Sequence, residues 1–208
     1  MSSSEIPDAW PPNESAAPVS IAPVFPLPRV FLYPHVVMPL HIFEPRYLQM
    51  IEDLLDRRGW LVITPICEGH EEEHLGAPPI YPVGGLGEIV KHSRLDDGRF
   101  LITLAGLGRV RLLEVESDRQ YRKVQFEKLH EVMPDHAETG RLKNALRKAI
   151  LERSEMFLNL PDDLPLRPMV DLLLQNLDLP VATMAEAFAE PVLVRRAQLA
   201  LAEHAVRR

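Results

Sequence analysis

The chain has 208 residues, 46% of them hydrophobic and 25% charged, with a formal net charge of −7. That is the make-up of an ordinary globular protein, large enough to bury roughly 70% of the surface it would expose unfolded. No apolar run reaches the roughly 18 residues of a membrane span. The N-terminus lacks the basic leader and apolar centre of a secretory signal. The lone cysteine, Cys67, excludes an internal disulfide and fits a reducing cytoplasm. Basic runs such as Arg57–Arg58 and Arg195–Arg196 reach only two residues, too short to be a nucleic-acid footprint. Neither nucleic acid nor a membrane is therefore expected as a partner.

Residues 1–28 hold seven of the twenty prolines and no Lys or Arg. Such a stretch buries too little apolar surface to offset its ordering entropy, so residues 1–22 are expected to be a disordered leader. Trp10 is its large apolar exception, and whether it docks is left open. "RVFLYPHVVMPLHIF" is rich in β-branched and aromatic residues but broken by Pro34 and Pro39, which predicts short or edge strands with a bend. "EPRYLQMIEDLLDRR" changes period: Tyr47, Leu48, Ile51, Leu54 and Leu55 share one helical face. Pro45 suits the first helical position and Gly59 the stop. "WLVITPI" reads as a buried strand, and residues 67–82 as a polar loop.

"VGGLGEIVKHSRL", "DDG" and "RFLITLAGLGRVRLLEVE" predict two long strands joined by an Asp-Gly turn, the second bending at Gly106 or Gly108. "YRKVQFEKL" alternates with period two. After Pro134 the period is helical: Leu142, Leu146, Ile150, Phe157 and Leu160 form a stripe, followed by helices at "RPMVDLLLQNL", "VATMAEAFA" and "PVLVRRAQLALAEHAV". Strands followed by helices predict an α+β fold: a β-rich part over 23–133 and a helical part over 134–208.

Among motifs, "HEEEH" at His70–His74 satisfies the H-E-x-x-H zinc-hydrolase pattern, with Glu71 as base and Cys67 nearby. That chemistry needs a helix that presents both imidazoles on one face. Gly69 and Gly76 bracket the segment and leave too few residues for one, so a solvated acidic loop is expected and no metal or other cofactor. "GGLGEI" and "GLGR" fit no phosphate-binding pattern and read as bends or bulges where a side chain will not fit. None of the eight serines stands in a nucleophile elbow. His41, Glu44, Arg46 and Tyr47 crowd a strand-to-helix corner, where polar side chains satisfy backbone groups. They are read as structural, with no catalytic residue in the chain.

"FPLPRVFLYPHVVMPLHIFEPRYLQMIED" resembles the start of the amino-terminal, substrate-recognition domain of the Lon protease family. The resemblance is densest over Pro39, Leu40, His41, Phe43, Glu44, Pro45, Arg46 and Tyr47. It continues through "VGGLGEIV" and "DDGRFLITLAGLGRVRL", which carry Gly98, Arg99, Gly106 and Arg109. His35 stands where the family usually has glycine. The resemblance implies a PUA-like antiparallel β pseudo-barrel with one inserted helix, then a helical subdomain. It also implies a non-catalytic module that binds unfolded or degron-bearing protein segments and can pass them to a separate protease. The ATPase and Ser–Lys protease modules of full Lon proteases are not in this sequence. Phe31, Tyr33, Val37 and Met38 are the candidate peptide-binding residues. The PUA-like fold also raises RNA binding as an alternative, which the acidic balance opposes.

Overall fold

The computed structural model describes residues 20–153 and 160–207. The leader to residue 19, with Trp10, and Phe157 of the expected helical stripe lie outside the described residues. The chain divides into two compact units, Met1–Leu129 and His130–Arg208.

The first unit is built on six strands: β1 (Ser20–Leu27), β2 (Val37–Ile42), β3 (Trp60–Pro65), β4 (Val83–Arg94), β5 (Phe100–Val115) and β6 (Lys123–Lys128). One helix, α1 (Pro45–Leu55), is inserted after β2. The sheet order is β2-β5-β4-β3-β1-β6, and β5 also pairs with β6. Five strands thus close into a ring, and β2 is added outside it along the first half of β5. All pairings are antiparallel except β1 with β3. β1 begins at Ser20, inside the stretch expected to be leader, because Ser20–Pro23 pair with β6.

β5 serves both parts of the sheet because its pairing with β4 slips at Leu107: Leu86 faces Gly108 but Gly87 faces Gly106. The extra residue bends the strand. The glycines around this bend have a second use. A Cβ on Gly106 would sit 2.1 Å from the Tyr33 carbonyl oxygen, and one on Gly85 would sit 2.1 Å from that of Leu32. The non-strand segment between β1 and β2 therefore lies directly on the β4–β5 hairpin, and only glycine leaves room for it. Leu32 is 0% and Tyr33 1% exposed. Hydrogen bonds fix the far end of the segment, from the Gly106 amide to Val36 O (2.9 Å) and from the His35 amide to Gly106 O (2.8 Å). His35, at φ 64°, takes a left-handed conformation that glycine adopts without strain.

α1 has Pro45 in its first turn and buries Tyr47, Met50, Ile51 and Leu54 against Phe25, Leu32, Ile42, Leu61 and Leu104. It stops at Asp56, and Gly59 (φ 67°) turns the chain into β3. The β4–β5 connection is wider than a two-residue turn: Arg94 pairs with Phe100 and Gly98 takes φ 85°.

The second unit holds α2 (His136–Leu151), α3 (Leu166–Gln175), α4 (Val181–Ala189) and α5 (Leu193–Val206). Asp135 caps α2, its carboxylate accepting from the Glu138 amide at 2.8 Å. Arg196, part of a basic run by sequence, is wholly buried on α5. It pairs with Asp171 of α3 and, at 3.3 Å, with Glu131, which also binds Arg167.

Candidate functional site at the edge of the sheet

Among the described residues β2 pairs with β5 alone, so its other edge is open. The bond from Gly106 to Val36 O sets the phase of the ladder: Met38, Leu40 and Ile42 turn their amides toward β5, and Val37 and His41 turn theirs outward. Pro39, between them, has no N–H, and it sits where none is needed for the β5 pairing. Side chains follow the same alternation on the two faces. Ile42 is buried, and Met38 and Leu40 pack on the core beside α1.

The opposite face is apolar and exposed. Val37 is 48%, Phe43 60% and Leu101 45% exposed. In register, Val37 faces Ala105, Pro39 faces Thr103 and His41 faces Leu101. His41 also meets the Phe43 ring at 5.8 Å, edge on. Lys91 and Ser93 of β4 flank this strip, leaving a shallow groove of about 420 Å³ over Pro39, His41, Leu101 and Thr103.

Of the four peptide-binding candidates, Val37 lies fully on this surface. Tyr33 does not: at 1% exposure its ring is core, because its backbone rests on Gly106. Met38 faces the core, and Phe31 is half-buried in the preceding loop. Phe43 and Leu101, which are not among those candidates, are also exposed on this surface. The signal was there, since Leu101 has the opposite parity to Phe100, Ile102 and Leu104, and Phe43 shares the parity of His41.

The other polar side chains of the corner are held by contacts within the unit. Arg46 donates from Nε to Glu44 (3.1 Å) and from Nη1 to the Gly76 carbonyl (2.8 Å), and its guanidinium lies 4.5 Å from the Tyr47 ring centre. It ties the 67–82 loop to the start of α1. Glu44 makes no side-chain cap of the helix and serves Arg46 instead. Tyr47 stacks on Phe25 with ring centres 4.2 Å apart, and burial pushes its phenol up to about 12. Arg109 is buried at 3% exposure. Arg99 binds Asp97 in the β4–β5 turn and holds that carboxyl below its usual range.

In the "HEEEH" segment a short 3-10 helix runs over Glu71–Leu75, with His70 before its first turn; it is too short to be the α-helix that a zinc-hydrolase motif needs. His70 Nδ1 bonds Glu73 at 2.8 Å. Burial raises the Cys67 thiol, which makes it a poorer thiolate ligand. Among the described residues no three His, Cys, Asp or Glu side chains converge as metal ligands, and no helix is long and apolar enough to cross a membrane.

Solved structures share this architecture. The N-terminal domain of the Mycobacterium avium complex Lon protease superposes with a TM-score of 0.66 at 15% identity, covering 89% of this chain and 98% of its own. A Lon N-terminal domain protein from Xanthomonas campestris gives 0.63 at 21% identity, with 88% and 98% covered. In sequence, Lon protease 2 of Sorangium cellulosum is 31% identical over 74% of this chain, and Lon protease of Anaeromyxobacter dehalogenans is 26% identical over 88%. The aligned region spans 19% and 22% of those two proteins, so the likeness is to one part of them. The pattern of the ATP-dependent protease La (LON) substrate-binding domain matches residues 21–200, and the chain belongs to that family.

Proposed function

We propose that this protein is a non-catalytic module that captures extended apolar polypeptide segments on the outer edge of β2. The observation that carries the reading is the coincidence of an open strand edge with an exposed strip of Val37, Phe43 and Leu101. A guest strand gains main-chain bonds at Val37 and His41, and its alternate side chains rest on the strip. The family's description as a substrate-binding domain supports this occupant. Unfolded or degron-bearing segments offer such stretches, and delivery to a protease is the step that follows. The single reduced cysteine fits a cytoplasmic setting for this work.

The test is fluorescence anisotropy with a labelled, apolar, extended peptide and with a reduced unfolded model protein. Val37→Asp with Phe43→Ser should weaken binding about tenfold or more, matching the loss of two buried side chains, while the melting curve stays in place. Binding unchanged by this pair overturns the assignment to β2, and binding of neither probe overturns the function.

A further inference from the structure

A second surface of the first unit differs in chemistry from the β2 strip. β3 joins β1 only from the pair Val24–Val62 onward. Ile21–Pro23 therefore have β6 on one side and line a cleft of about 380 Å³. Ile21, Pro23 and Trp60 form its apolar wall, and the end of α1 with Arg57 and Arg58 forms its rim. Ile21 is 58% exposed there, more than is usual for a β-branched strand residue.

The charges around the cleft do not balance. Arg119 is matched by Asp53 at 3.0 Å and Lys123 by Asp118 at 2.5 Å. Arg57 and Arg58 are both exposed, and neither has a carboxylate partner among the described residues. Arg58 lies instead 4.8 Å from the Trp60 ring centre, an arrangement that stiffens a long side chain without neutralising it. Two uncompensated guanidiniums beside an apolar wall, on a chain of net charge −7, form a local anion-attracting site.

We propose that this cleft binds acidic peptide segments, carboxylates on Arg57 and Arg58 and a bulky apolar side chain against Ile21 and Trp60. A polypeptide fits better than a phosphate ligand. Among the described residues the cleft presents no helix N-terminus or glycine-rich amide cradle, and its apolar wall of Ile21, Pro23 and Trp60 suits a side chain that inorganic phosphate lacks. The site is separate from the β2 edge and stands whether or not that reading holds.

The test uses the full chain and a labelled peptide that alternates Asp or Glu with Leu. Binding should fall about tenfold for Arg57→Glu with Arg58→Glu and weaken with added salt, as expected for two exposed charge contacts. The Lys-for-acid version of the peptide should not bind. Arg57→Gln with Arg58→Gln serves as a milder pair whose folding is checked by circular dichroism, and both pairs should leave binding of the apolar peptide unchanged. Equal binding of the acidic and basic peptides, or full binding by the Glu variant, overturns the proposal. So does displacement of the acidic peptide by inorganic phosphate at an ionic strength where chloride has no effect, which would mark a phosphate site.

Discussion

Gly106→Ala should destabilise the first unit through a contact visible at atomic scale. The new Cβ would lie 2.1 Å from the Tyr33 carbonyl oxygen and 3.0 Å from its carbon, so the Leu32–Tyr33 segment must retreat by about 1 Å to restore ordinary van der Waals separation. Overpacking of this kind costs about 1–3 kcal/mol. The retreat also strains both backbone bonds between Gly106 and residues 35–36, worth about 1 kcal/mol each. Replacing glycine by alanine returns about 0.5–1 kcal/mol by restricting the unfolded chain. The net loss is about 2–4 kcal/mol, or about 8–16 °C of Tm for a unit of this size. Gly108→Ala is the internal control, since a Cβ there meets nothing within 4 Å, and it should stay within about 0.5 kcal/mol of the parent. Urea unfolding followed by circular dichroism and by tryptophan fluorescence measures both. Equal stability of the two variants would refute the claim that the segment rests on the hairpin at Gly106.

Arg46→Ala should cost about 1–2 kcal/mol, by freeing the Gly76 carbonyl and Glu44 from their shared partner, and should leave peptide binding by the folded fraction intact; loss of binding at unchanged Tm would instead make the corner a functional surface. Arg196→Ala takes from Asp171 its buried ion-pair partner and leaves Glu131 with Arg167, and should cost about 3–5 kcal/mol in denaturant titrations, whereas Arg195→Ala, on an exposed neighbour, should cost less than about 0.5 kcal/mol. Tyr47 and Tyr121 are both held at about 12, mainly by burial, with Asp53 bonded to the Tyr121 hydroxyl. The unfolded chain ionises at its ordinary value of 10.0 while the fold keeps both protons. Their stabilisation is therefore complete below pH 10.0 and is lost as pH rises toward about 12; tyrosinate absorbance for these two that develops at pH 10.0 without unfolding would contradict it.

Local periodicity was enough to read α1, the β4–β5 pair and the four later helices. Each has its own repeat of 3.6 or 2 and its own punctuation by proline or glycine. The same reasoning named the glycines of "GGLGEI" and "GLGR" as places where a side chain would not fit. Gly108 departs from the expectation, since a Cβ there meets nothing within 4 Å. At Gly84 the space is filled by Ile63 and Val62, and at Gly85, Gly87 and Gly106 by Leu32 and Tyr33, more than fifty positions away in sequence. That distance explains why Tyr33 was read as a binding residue: an aromatic in an irregular, proline-punctuated segment has no repeat to reveal its burial. The parallel pairing of β1 with β3 is hidden for the same reason. Arg196 shows the limit of charge counting, since on α5 it shares the buried face of Ala197, Ala200 and His204 and its charge is spent inside the unit. The exposed strip is half legible, because strand parity already places Phe43 with His41.

The proline in the middle of β2 limits what the open edge can accept. Val37 and His41 each offer a neighbour both an amide and a carbonyl, but Pro39 offers only a carbonyl, so any strand laid alongside has a gap in its pairing at the centre. A short guest tolerates one missing bond; a growing stack of identical chains would repeat the defect at every layer. The edge is therefore suited to transient, replaceable company and poorly suited to fibril growth, a useful bias for a protein whose exposed strip would otherwise template its own aggregation.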